Sequence, residues 1–60
     1  MKHYLYYVET RYNEFDILVG ADNEEEAKRL LLNELEDVEM VTACGEVSEE
    51  EAEESGLDEL

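Results

Sequence analysis

The sequence predicts a small α+β domain: a three-stranded antiparallel sheet in the order 2-1-3, one helix packed on it and a short acidic C-terminal helix. Three observations lead there. Two neighbouring stretches, HYLYYVETRY at 3–12 and FDILVGA at 15–21, are rich in aromatic and β-branched residues that suit a pleated, half-buried surface. A leucine-bearing segment at 24–35 repeats at helical spacing. A third apolar stretch, DVEMVTACGEV, follows it.

In the first strand, 3–12, Tyr4, Tyr6, Val8 and Tyr12 share one parity, and Leu5, Tyr7, Glu9 and Arg11 the other. Tyr12-Asn13-Glu14 reads as a turn, because Asn tolerates left-handed backbone. The second strand, 15–21, alternates Phe15, Ile17, Val19 and Ala21 with Asp16, Leu18 and Gly20. So short a link makes the pair an antiparallel hairpin.

Asp22 or Asn23 caps the helix at 24–35, with Glu25 or Glu26 as capping-box partner. Three glutamates in its first turn complement the helix dipole, and Lys28 and Arg29 follow as their i+3 and i+4 partners. Ala27, Leu30, Leu31 and Leu35 face the sheet, with Leu32 beside that stripe. The third strand occupies 37–44, with Gly45 ending or bulging it. A helical crossover lets it run parallel to the second strand, and a place beside the first makes the tyrosine-rich strand central. Ser48 with Glu51 forms a capping box for the last helix, 49–55, and Gly56 is a left-handed stop. Only Ala52, Leu57 and Leu60 offer it apolar contact, so weak packing is expected.

Sixty residues make a single domain, 1–60, near the lower limit for independent folding. Such a core supplies only ~3–5 kcal/mol. Cys44 is alone, so no internal disulfide forms, and its apolar strand marks it as a buried small residue. No signal peptide or spanning segment is evident, so a cytoplasmic protein is expected.

Enzyme chemistry is not legible. His3 has no acid or nucleophile near it in sequence, and reads as a surface or strand-edge residue. The many carboxylates lack the contrasting environments that acid–base catalysis needs. No segment has the calcium-loop spacing, and the one glycine of GADNEE makes no phosphate loop. The tyrosines and Phe15 read as sheet packing, because an aromatic nucleic-acid platform also needs a basic groove. The expectation is a non-enzymatic protein with no cofactor and no metal.

Charge is the informative feature. Lys and Arg number 4 against 19 Asp and Glu, for a formal net charge of −15, and no Lys or Arg follows Arg29. Direct binding to nucleic acid or an anionic membrane is excluded on electrostatic grounds. Solubility asks for a net charge of only ~2–8 in a small domain. The excess costs stability: like charges at i,i+4, such as Glu49/Glu53 and Glu50/Glu54, each cost ~0.2–0.5 kcal/mol. A salt-loving host would be a bland cause. The functional reading is an acidic surface aimed at a basic one, carried by Glu24, Glu25, Glu26, Glu36, Asp37, Glu39, Glu46, Glu49, Glu50, Glu53 and Glu54 in rows that imitate a phosphate backbone.

In size, acidity and lack of catalytic residues, with the runs DNEEE, ELEDVE and EVSEEEAEES, the chain resembles the small phage-encoded DNA-mimic inhibitors of the anti-CRISPR type. The resemblance is one of type, without a diagnostic motif. It implies a monomer in the host cell cytoplasm that blocks the DNA-binding site of a host defence complex, for instance a CRISPR surveillance complex. The alternative is a small acidic protein-binding module or antitoxin-like regulatory subunit. It would recognise its partner through aromatic and apolar contacts, with charge setting encounter rate. An edge-strand dimer also stays open.

Overall fold

The computed structural model describes all 60 residues, Met1–Leu60. Strands β1 (Lys2–Thr10) and β2 (Glu14–Ala21), helix α1 (Glu24–Glu34), strand β3 (Val38–Val47) and helix α2 (Glu49–Ser55) follow in that order. The sheet order is β2-β1-β3. Both outer strands are antiparallel to β1, so β2 and β3 run parallel to each other, as the sequence predicts.

The alternation of β1 sorts the two faces. Tyr4, Tyr6 and Val8 stand opposite Val19, Ile17 and Phe15 and face α1. There Ala27 and Leu31 meet Tyr4, Tyr6, Val8, Ile17, Val19 and Ala21 in one buried cluster, with Leu30 and Leu35 partly buried at its margin. Leu32 is exposed. Asn23 is the cap of α1: its side-chain oxygen accepts from the Glu26 N–H at 2.8 Å. The Tyr6 hydroxyl donates to the Glu24 carbonyl at 3.3 Å, which ties the helix start to the central strand.

Several boundaries differ from the sequence reading. β1 stops at Thr10, two residues short, because Thr10 closes the turn itself. Its backbone N–H donates to the Asn13 carbonyl at 2.7 Å, and its hydroxyl accepts from the N–H groups of Tyr12 and Asn13. Tyr12 is therefore exposed, with the Arg11 guanidinium 5.9 Å from its ring centroid. α1 ends one residue early, since Leu35 is already extended. β3 begins at Val38 and continues to Val47, past the expected end at 44, because a bulge lets it pass Gly45. Leu5 faces Gly45 and Tyr6 faces Ala43, leaving Cys44 without a partner, and Gly45 takes φ 103°. A second irregularity isolates Glu39 between Val38 and Met40.

Cys44 is exposed, contrary to the expected burial. α1 packs chiefly over β2, and β3 meets the core only through the partly buried Val38 and Val41, so that edge strand contributes no fully buried residue. The other edge is closed by the chain itself. After Gly56, in left-handed conformation at φ 69°, residues 57–60 run beside β2. The Leu18 N–H donates to the Asp58 carbonyl at 3.0 Å, the Leu60 N–H to the Leu18 carbonyl at 2.8 Å and the Gly20 N–H to the Leu60 carbonyl at 3.2 Å. α2 and this tail cover the second face of the sheet. They bury Leu18, which lies on the parity opposite the main core. No helix is long and apolar enough to cross a membrane.

Candidate acidic interface

Twelve of the 19 acids lie beyond Arg29, in the half of the chain that forms the end of α1, β3, α2 and the tail. The sheet topology divides the predicted acids between two ends of the molecule. At one end α1 begins and β3 runs into α2. There lie Glu24, Glu25, Glu26, Glu46, Glu49, Glu50, Glu53 and Glu54. At the other end, where α1 hands over to β3, lie Glu36, Asp37 and Glu39. They do not form one continuous row. All are exposed except Glu26, which is half-buried.

The sheet also separates the larger group by face. Glu46 stands opposite Tyr4 and so shares the α1 face. The α2 acids lie on the other face, because α2 packs against His3 and Leu18. Successive residues of a helix turn by about 100°. Ala52 faces the sheet, so Glu50 and Glu54 point outward. Glu49 and Glu53 flank Ala52 and line the groove beneath the helix. The Ser48 hydroxyl accepts from the Glu51 N–H at 3.1 Å and donates to the Glu51 carboxylate at 3.2 Å, which fixes the start of α2.

These carboxylates are not neutralised internally. Lys28 and Arg29 were expected to pair with the first-turn glutamates, yet neither forms an ion pair, although Arg29 lines a surface hollow with Asn23, Glu25 and Glu26. No Lys or Arg is in an ion pair; the His3 imidazole hydrogen-bonds the Glu59 carboxylate, joining opposite ends of the chain that the tail brings together. Sequence spacing could not show this contact. A second feature missed from sequence is the Tyr7 hydroxyl, which reaches Glu14 at 2.6 Å and Glu9 at 3.2 Å. Glu9 and Glu14 are cross-strand neighbours, and the phenol lies between two like charges. Donation to Glu14, aided by partial burial and by both carboxylate charges, holds the Tyr7 phenol well above its ordinary value. Burial, then the nearby Glu24 charge, raises that of Tyr6.

No group of three His, Cys, Asp or Glu side chains converges in a metal-holding arrangement. No buried side-chain polar atom lacks a hydrogen-bond partner. The chemistry on offer is thus long-range attraction plus carboxylate hydrogen-bond acceptance. Comparison with known protein families, with curated protein sequences and with solved structures finds no match.

Proposed function

We propose that this protein is a non-enzymatic inhibitor that presents an acidic surface in place of DNA and blocks the DNA-binding site of a basic partner, such as a host defence complex. The observation that carries the reading is the uncompensated charge: 19 acids, none of them paired with Lys or Arg. Internal ion pairs would have spent those carboxylates within the fold. Exposed and unpaired, they stay available to the Arg forks and Lys ammoniums of a nucleic-acid groove.

Scale supports it. The molecule measures 31 × 22 × 15 Å. Duplex DNA carries one charge per ~1.7 Å, hence about 18 charges over the same long axis. The protein's formal −15 is of that order. The split into two acidic ends is compatible with a decoy that spans a groove, each end meeting a different basic wall.

The test is capture of the partner on tagged protein, eluted first by salt and then by duplex DNA. Release by DNA, a steep salt dependence and loss of inhibition on changing Glu49, Glu50, Glu53 and Glu54 to Lys are expected. A partner that holds through salt and ignores DNA would overturn the decoy reading.

One observation favours the second reading, a protein-binding module. The outer edge of β3 is unpaired, and Met40 on it is 46% exposed. An extended segment of a partner would add there as a further strand. That mode would tolerate salt and lose affinity on substitution of Met40 or Val41.

A further inference from the structure

Between α2 and the sheet runs an open groove of about 350 Å³, lined by His3, Leu18, Glu49, Ala52, Glu53, Gly56, Leu57 and Glu59. Its origin is legible in the helix. Positions 49, 52, 53 and 56 form the stripe at i, i+3, i+4 and i+7 that a packing helix fills with large apolar side chains. Here they are Glu49, Ala52, Glu53 and Gly56, so the sheet-facing stripe is short of volume and α2 buries no residue. The floor is apolar: Leu18 is 2% exposed, and Leu57 and Ala52 are half-buried. Of the carboxylates on the rim, Glu59 is engaged by His3. Glu49 and Glu53, one helical turn apart, have no partner.

The geometry points to a binding site for one arginine side chain presented by a partner protein. The aliphatic stem of Arg would lie on Leu57 and Ala52, above the covered Leu18, while its guanidinium meets Glu49 and Glu53. A guanidinium fits better than an ammonium, because its planar fork of five donors reaches two carboxylates at once and it is the more weakly hydrated cation. A second copy of this chain is a poor occupant, since each copy carries −15. For its natural occupant the assignment rests on the reading of the protein as a decoy for a basic groove. The site itself can be tested without any partner.

The probe is Nα-acetyl-arginine amide, titrated at low salt while backbone amide resonances of the intact protein are followed. Saturable shifts are expected at Leu18, Ala52, Gly56 and Leu57, with those of Glu24–Glu26 and Glu36–Glu39 small and linear. Glu49→Gln with Glu53→Gln weakens binding by about tenfold or more, the range for charge-assisted hydrogen bonds. Glu50→Gln with Glu54→Gln removes the same charge and leaves affinity within about threefold, since neither side chain lines the groove and only long-range attraction is lost. Equal weakening by both double variants, shifts spread over all acidic segments, or equal affinity for Nα-acetyl-lysine amide would each overturn the site. Arginine binding in the groove together with a partner indifferent to DNA would keep this site and discard the decoy function.

Discussion

Salt should stabilise this fold, and the size of the effect follows from where the glutamates stand. α2 carries Glu49/Glu53 and Glu50/Glu54 at i,i+4, and Glu50/Glu53 and Glu51/Glu54 at i,i+3. None of these glutamates is in an ion pair. At ~0.2–0.5 kcal/mol for each like-charge pair, the helix carries about 1–2 kcal/mol of repulsion at low ionic strength. The screening length is about 30 Å at 0.01 M salt and about 3 Å at 1 M. The first matches the 31 Å long axis, so every charge then feels every other. The second is shorter than the ~5–6 Å between helix neighbours, so even adjacent glutamates are screened. Moving from 0.01 to 1 M sodium chloride should therefore raise stability by at least ~1–2 kcal/mol, or about 1 M in urea midpoint at the m-value of a small domain. Urea is the denaturant to use, because guanidinium chloride is itself a salt. Circular dichroism reads the midpoint. Glu50→Gln with Glu54→Gln should start more stable and gain less from salt. A midpoint flat in salt, or an equal gain in the variant, would refute the claim that the acids stand unpaired and repel.

Other consequences concern the core, the backbone and the edges. Leu31→Ala, at a site with 0% exposure between helix and sheet, should cost ~3–5 kcal/mol and leave the chain largely unfolded. Leu18→Ala beside the open groove should cost nearer ~2 kcal/mol and speed amide exchange mainly in α2; equal loss of protection in α1 would refute the separation of the two layers. Gly45→Ala meets no atom within 4 Å but keeps φ 103°, so its cost of ~1–3 kcal/mol is pure backbone strain; a urea midpoint equal to the parent's would contradict the bulge geometry. The raised Tyr7 phenol stabilises the fold fully below the unfolded value of about 10, and this contribution is lost as pH rises through the higher folded value. Tyr7→Phe should thus soften the alkaline fall in urea midpoint, and an unaltered profile would sink the assignment. At about 0.15 M salt, where the screening length of about 8 Å leaves directly opposed carboxylates repelling, Glu39→Thr with Glu46→Thr should self-associate at lower concentration than the parent in sedimentation; identical behaviour would deny those acids an edge-guarding part.

The fold was legible where local chemistry and global packing agree. Alternation in β1 and β2, the Asn23 and Ser48 caps and the Ala27/Leu31 stripe each specify one element, and an apolar face on each forces the order β2-β1-β3. Cys44 misled because an apolar strand says nothing about whether a helix is wide enough to cover it. Val38 and Val41 of β3 do pack on the core, but Cys44 falls in the bulge between the partners of Leu5 and Tyr6 and stays outside it. The tail escaped notice because LDEL has no strand pattern: its pairing comes from backbone groups of Leu18 and Gly20, which no side chain announces. One signal was present. Leu18 is an apolar residue on the polar parity of β2, and Leu57 and Leu60 had no other surface to cover. As for the acids, composition gives their number and exposure, but only the topology shows that they gather at two ends rather than in one row.

The treatment of the two sheet edges ties the charge to the fold as well as to the proposed function. A three-stranded sheet has two edges, each a template for pairing with another chain. Here the β2 edge is occupied by the tail, while the β3 edge is open. Two copies meeting antiparallel through β3, centred between Thr42 and Ala43, would set Glu39 directly against Glu46 twice. Like charges placed so are destabilising. The irregularities at Glu39 and Cys44 also break the β3 ladder into stretches at 40–43 and 45–47. These devices disfavour pairing with a second acidic copy, whereas on the proposed reading a basic partner would be attracted by the same glutamates. Negative charge on β3 thus discriminates between partners by sign. Repulsion within α2 is the internal cost of that selectivity, and a basic surface would relieve it on binding. On the proposed reading the acids are therefore most destabilising in the free protein and least so in a complex with a basic partner.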